Sequence, residues 1–420
     1  MFKFKKHSMA GASIPNQTGF SLIELMVALV IGLIVSLAVY TVLTNNEGRK
    51  RTITSTNDID QAGSYALYQL DKAMRSAGSG FMAGVNPNNK LSGQASLPNT
   101  PAANYTLGCL LKVAKGGVTL IPSATAYPEP FATVKSTLTA GIRVAPIIIL
   151  DGLATRGDVL MVMAGSAGLS ESINPLVSVP TANTMTFANS AGFRALDRIL
   201  LTNAGGTSEP LAGANCIVEQ VAPGYVSDKD KTIVELGNGT ATQGDYYQAV
   251  ISGTSLTSFS NTAVALNLGR QPTFSLFGVG ANNTLFKYDL LRSTETTNAD
   301  RNPMEYVDSV YQLEAVYGIS PTKGALTWQQ PTGDYAAATL LNGSAASNAN
   351  LKNIKAVRIA LVMRTSLLEK NNVSNNSLVL FENTDATNKI TINTTGNEKF
   401  RFKVIESTIP IRNALAIARD

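Results

Sequence analysis

The alternation of apolar and polar positions divides the chain into three parts. From Phe20 to Leu43 the residues are FSLIELMVALVIGLIVSLAVYTVL, a run of 24 with a single charge, Glu24. A helix of that length rises about 36 Å, enough to cross a hydrocarbon layer of about 30 Å. A polar interval containing Glu47, Arg49, Lys50 and Arg51 follows, and then a second pattern. Ile59, Ala62, Ala66, Leu67, Leu70, Ala73, Met74 and Ala77 recur at steps of three and four residues. That spacing lines one face of a helix and predicts an amphipathic segment over about 53–77. No proline occurs between Pro15 and Pro87, although Gly48 allows a break. Gly78 and Gly80 supply the stop.

Beyond residue 78 the period changes. Residues 79–104 carry Gly, Asn and Pro without periodicity and are expected to be loop. Short apolar runs bounded by turn residues then recur: Ile147–Leu150, Val159–Met163, Ile199–Leu201, Ile217–Val221, Ile233–Leu236 and Leu285–Leu291. Val357, Ile359, Leu361 and Met363 alternate with their neighbours, as do Phe400, Phe402 and Val404, which predicts half-buried strands. Tyr306, Val310, Leu313 and Val316 fit a helical face, so residues 306–317 are compatible with helix or strand. The expected fold class is α+β: a long N-terminal helix, first transmembrane and then amphipathic, packed on a large antiparallel β-rich domain.

Composition narrows the chemistry. The 420 residues are 44% hydrophobic and only 15% charged, against about a quarter charged in typical soluble chains. The formal net charge of +5 is too thin to favour nucleic acid as a partner. The one histidine, His7, precedes the apolar run. Its removal with a leader would exclude histidine-dependent triads, histidine-ligated zinc and histidine general-base chemistry. Ser227–Lys231 and Asn298–Asn302 cluster oxygen donors without the spacing of a calcium loop, and Gly278–Gly280 is not followed by the Gly-Lys-Ser/Thr of a phosphate loop. No catalytic residue, metal site or cofactor is expected, and the chain is expected not to be an enzyme.

The N-terminus does not follow the order of a secretory signal, in which a cleavage site comes after the apolar core. Here residues 1–19 hold Lys3, Lys5 and Lys6 and no acid, and end at Gly19, immediately before the apolar run. Cleavage at Gly19–Phe20 would leave the membrane helix on the mature chain. The positive-inside rule places Lys3, Lys5 and Lys6 in the cytoplasm and the C-terminal part outside. Two roles fit Glu24. It can snorkel at headgroup depth, or it can pair with the new α-amino group of Phe20, four residues away on the same helix or on a neighbouring one. Outside the cytoplasm, Cys109 and Cys216 would be in an oxidising compartment, where either a disulfide or two buried thiols is possible.

The string Gly19-Phe20-Ser21-Leu22-Ile23-Glu24-Leu25 resembles the class III signal of type IV prepilins and type II secretion pseudopilins. The resemblance implies cleavage after Gly19, N-methylation of Phe20 by a prepilin peptidase, and pairing of Glu24 with the Phe20 amine of an adjacent subunit during assembly. Gln61–Phe81 resembles the region after the membrane helix in PilW-type minor pilins. Further short similarities are Gly157-Asp158-Val159-Leu160, Ser309–Gly318, Ile354–Thr365 and Ile411-Arg412-Asn413. Much of 79–150 and 165–300 looks like insertions into a pilin head.

That family implies a minor pilin which helps initiate or cap the type IV pilus. Its partners would be other minor pilins, the major pilin, the prepilin peptidase and methyltransferase, the inner-membrane assembly platform and the bilayer. The expected division is a leader at 1–19, an N-terminal helix at 20–78 with its transmembrane part at 20–43, and an extracytoplasmic domain at 79–420. The chain would be single-pass in a bacterial inner membrane, with its domain in the periplasm, and extracellular once in a pilus. A type II secretion pseudopilin of the J type and a membrane-anchored adhesin are the alternatives. Loss of Lys3, Lys5 and Lys6 with the leader takes the formal charge from +5 to +2.

Overall fold

A computed structural model describes residues 19–82, 106–168, 173–203, 215–228, 230–237, 246–247, 255–261, 263–291, 302–321 and 325–415. Lys3, Lys5, Lys6, His7, nearly all of the expected loop over 79–104 and most of Asn298–Asn302 lie outside the described residues.

The first element is one helix, α1 (Leu22–Ser76), and Gly48 does not interrupt it. The chain forms two units, Met1–Ser55 and Thr56–Asp420. In the first, every described residue from Gly19 to Asn46 is exposed. In the second, Ile59, Gly63, Ala66, Leu70 and Met74 of α1 are buried, and Ala62, Leu67 and Ala73 pack beside them. The stripe is the one the spacing predicts, with Gly63 added.

Strands follow in chain order: β1 (Leu110–Lys115), β2 (Val118–Ile121), β3 (Ile147–Ala154), β4 (Gly157–Ala164), β5 (Ile173–Pro175), β6 (Thr184–Thr186), β7 (Arg198–Thr202), β8 (Asn215–Gln220), β9 (Ile233–Glu235) and β10 (Val264–Gly269). The second half holds β11 (Thr273–Val279), β12 (Leu285–Asp289), β13 (Met304–Val307), β14 (Val310–Ile319), β15 (Thr327–Gln329), β16 (Ile354–Arg364), β17 (Ser377–Leu380), β18 (Ile390–Asn393) and β19 (Phe402–Pro410). Between them lie short helices α2 (Val134–Thr137), α3 (Ala337–Leu340), α4 (Ala345–Asn353) and α5 (Arg412–Leu415).

Two sheets carry the domain. A nine-stranded sheet runs β13-β12-β11-β4-β14-β16-β19, with β3 paired to β4 and β15 to β14. A six-stranded sheet runs β2-β1-β8-β7-β10-β5. The expected antiparallel pairing holds except at two ladders, β1 with β8 and β14 with β4, so the sheets are mixed.

The central strands are buried on both faces, which explains two departures from expectation. Leu313, Ala315 and Tyr317 of β14 enter the core shared with α1, whereas Tyr311 and Val316 enter a second core. A strand covered on both sides loses its alternation and mimics a helical face, and residues 310–319 are strand. In β16, Val357, Ile359, Leu361 and Met363 face the α1 core, but Ala360 and Val362 are equally buried under the β17–β18 hairpin. Apart from Arg358, residues 356–363 are therefore buried, on both faces of the strand.

The six-stranded sheet has its own far-side core, which includes Phe187, Phe193, Leu201, Ile217, Val234 and Phe259. Residues 165–300, expected to hold inserted loops and extra strands, thus supply most of a second sheet with a separate core.

Candidate functional site

At the start of α1, the first helical hydrogen bond is donated by the Leu25 N–H to the Ser21 carbonyl at 3.1 Å. Gly19 and Phe20 precede that turn and are not helical. Nothing lies within 4 Å of a Cβ built on Gly19, and Phe20 is 82% exposed. The Gly19–Phe20 peptide bond is therefore accessible. Glu24 stands in the first turn, where the helix dipole favours a carboxylate. Its side chain is exposed and makes no ion pair or hydrogen bond among the described residues.

From Phe20 to Leu43 the large apolar side chains are exposed around the whole circumference of the helix. Thr41 and Thr44 donate their hydroxyls to helix carbonyls, Thr41 to Ala38 at 2.8 Å and Thr44 to Tyr40 and Thr41 at 3.0 Å. Polar groups satisfied in this way can enter lipid at low cost. The Glu47–Arg51 pair at 3.2 Å opens the polar zone beyond.

In the second unit, α1 is held by packing and by polar contacts. A Cβ on Gly63 would lie 2.3 Å from Ile405 Cδ1 and 3.0 Å from Met363 Cγ, so the space a side chain would take is filled by those of Ile405 and Met363. The Tyr306 hydroxyl donates to Gln69 Oε1 at 3.1 Å, and Lys403 pairs with Asp60 at 2.6 Å. At the helix exit Gly78 and Gly80 have φ near +84° and +83°, a region costly for side chains. The Gly78 N–H donates to the Met163 carbonyl at 2.8 Å, and the Gly165 N–H to Ser79 at 2.6 Å. The Gln61–Phe81 segment is thus helix plus a clasp onto the end of β4.

Two other sequence-selected segments meet inside the sheet. Asp158 accepts hydrogen bonds from the Gly152 N–H at 3.1 Å and the Ala315 N–H at 2.9 Å. Glu314 lies beside it and accepts from Gln312 Nε2 at 2.7 Å. Burial first, and then the Glu314 charge, pushes the Asp158 carboxyl well above its usual range. Burial likewise raises Glu314. The pair ties β3 and β4 to β14, and nothing in the sequence alone marks it as a pair.

Cys109 and Cys216 are joined as a disulfide with Cα atoms 5.7 Å apart. The bridge sits where β1 begins its parallel ladder with β8, Leu111 being the direct partner of Cys216. The Ser227–Lys231 segment, residue 229 apart, is largely an exposed turn, with the Asp230 N–H donating to Asp228 Oδ1 at 3.3 Å. Among the described residues no group of three or more His, Cys, Asp or Glu side chains could hold a metal ion.

Residues 14–40 match the family model described as the prokaryotic N-terminal methylation motif, and residues 277–413 match that of the type IV pilus-assembly protein W. The two matches are similarities over 27 and 137 of the 420 residues, respectively. The first match contains Gly19, Phe20 and Glu24. The second runs from the end of β11 through β19 into α5, and so takes in most of the nine-stranded sheet. The six-stranded sheet lies wholly outside it. No curated protein and no solved structure matches the chain. The families matched are structural rather than enzymatic, and the matches, with an apolar helix among the described residues, support a type IV pilus-related pilin.

Proposed function

We propose that this chain is a minor pilin that is cut after Gly19, N-methylated at Phe20, and helps initiate or cap type IV pilus assembly in a complex of minor pilins. The observation that carries the reading is the exposed, non-helical Gly19–Phe20 bond, one turn ahead of a carboxylate on a helix whose apolar side chains are exposed up to Leu43. Cleavage creates an ammonium at Phe20. Glu24 of a neighbouring subunit supplies its counter-charge in apolar surroundings, where an unpaired charge is costly. Residues 20–43 remain in the bilayer until assembly. On extraction their apolar surface is covered again by neighbouring helices, those of other minor pilins and the major pilin. The leader is residues 1–19, and the domain after residue 78 lies in the periplasm or, in the filament, outside the cell. Lys3, Lys5 and Lys6 are balanced by Arg49, Lys50 and Arg51 at the other end of the span, so the prepilin motif, rather than the basic count, supports this orientation.

Glu24→Ala tests the pairing. Leader cleavage is expected to persist while surface piliation falls in a strain that depends on this chain. Unchanged piliation in that strain would refute the role of Glu24.

A further inference from the structure

Tyr311, at the start of β14, is flanked by two arginines. Arg156, in the β3–β4 turn, places its guanidinium carbon 4.3 Å from the ring centroid. Arg364, the last residue of β16, places its own 5.6 Å from the same centroid and 4.3 Å from that of Phe400. Stacking of this kind offsets part of the cost of desolvating a guanidinium. It does not neutralise the charge. Among the described residues neither arginine has an acidic partner, and the Nε–H of each is buried without an acceptor. Arg364 donates to Asn397 Oδ1 at 2.8 Å, which is neutral. Of the acids on the flanking segments, Glu369 pairs with Arg401 at 2.9 Å, Asp308 accepts from Thr284 at 2.9 Å, Asp158 accepts from the Ala315 N–H at 2.9 Å and Glu314 accepts from Gln312 at 2.7 Å. Burial, and then the charge of Arg156, lowers the pKa of Arg364 from its ordinary value.

Two partly buried like charges on one ring are costly unless a third group compensates them. Guanidinium groups present planar forks of donors matched to carboxylate and phosphate oxygens. We propose that Arg156 and Arg364, held against Tyr311, form a binding site for an oxyanion, the chemistry shared by inorganic phosphate and by a carboxylate of another chain. The site is remote in sequence from the Gly19–Glu24 motif and independent of the pilus-assembly role.

The test uses the full chain in detergent micelles, with thermal unfolding of the β-rich domain followed by near-ultraviolet circular dichroism. Sodium phosphate is titrated against sodium chloride at constant ionic strength, and acetate forms a parallel series. Phosphate is expected to stabilise the wild type saturably. A site with a dissociation constant of about 5 mM would raise the folding equilibrium constant about 11-fold at about 50 mM. An equal response to acetate identifies a carboxylate site, and a larger response to phosphate identifies a phosphate site; both support the proposal. Arg156→Met and Arg364→Met should lose the response yet be as stable as the wild type without phosphate, because each relieves repulsion. If Arg364→Met fails to fold, Arg156→Met, in a turn, decides alone. A flat wild-type response overturns the proposal. So does an unchanged response in the folded variants, since that leaves the arginines only a stacking role.

Discussion

Replacing Gly63 by alanine sets two effects of known sign against one another. A helical glycine is about 1 kcal/mol worse than alanine, so the substitution should help α1. The added methyl, however, would lie 2.3 Å from Ile405 Cδ1 and 3.0 Å from Met363 Cγ. Overpacking at such a seam costs about 1–3 kcal/mol. Gly63→Ala should therefore destabilise the domain by about 0–2 kcal/mol, the clash outweighing the propensity gain. The obstructing atom is the terminal carbon of Ile405, which Ile405→Val removes. Alone that change costs about 0.5–1.5 kcal/mol. Combined with Gly63→Ala it frees the space the methyl needs, so the double variant should be more stable than the sum of the singles by about 1–2 kcal/mol. Urea unfolding of the four proteins in detergent, followed by the fluorescence of Trp328, measures the cycle. A Gly63→Ala protein more stable than wild type, together with additive singles, would refute the claim that the Ile405 side chain leaves no room for a methyl at this position.

Three further outcomes follow from the packing. Removing the disulfide with Cys109→Ala/Cys216→Ala should cost about 4–5 kcal/mol, the chain-entropy value for a loop on the order of 100 residues, given the separation of 107; a loss under about 1 kcal/mol in denaturant unfolding would contradict it. Asp158 and Glu314 both bind protons more tightly folded than unfolded, so their contribution is fully present below the unfolded values near pH 4 and is lost as pH rises toward the folded ones. Glu314→Gln should flatten that decline in urea midpoints as pH rises above about 4, and an equal decline in both proteins would count against the pair. Leu70→Ala, at a fully buried position of α1, should cost about 2–5 kcal/mol by calorimetry, and a loss under about 1 kcal/mol would count against this packing.

What could be read from the sequence depended on whether the signal was local. The α1 stripe from Ile59 to Met74 repeats at a helical period, and every one of its buried apolar residues could be found that way. Gly63 could not, because hydropathy assigns glycine no burial. The runs at β3, β4, β7 and β8 were legible as strands because each is continuous and bounded by turns. Residues 310–319 were ambiguous because a strand covered on both faces has no alternation to detect. The parallel ladder of β1 with β8 joins residues about a hundred positions apart, and no local pattern announces it. The processing motif was the most legible feature, since Gly19, Phe20 and Glu24 are close in sequence. The Asp158–Glu314 tie and the Arg156–Tyr311–Arg364 cluster are made by tertiary pairing. Their members carry ordinary surface chemistry until the sheet assembles.

The central claim is that this chain is processed as a prepilin. Intact mass and N-terminal sequencing of the protein, produced with and without a prepilin peptidase, test it most directly. The expected result is a mature chain of 401 residues beginning with N-methylated Phe20 when the peptidase is present, and an uncut leader when it is absent. A mature start at any other residue, or the same start without the peptidase, would contradict it.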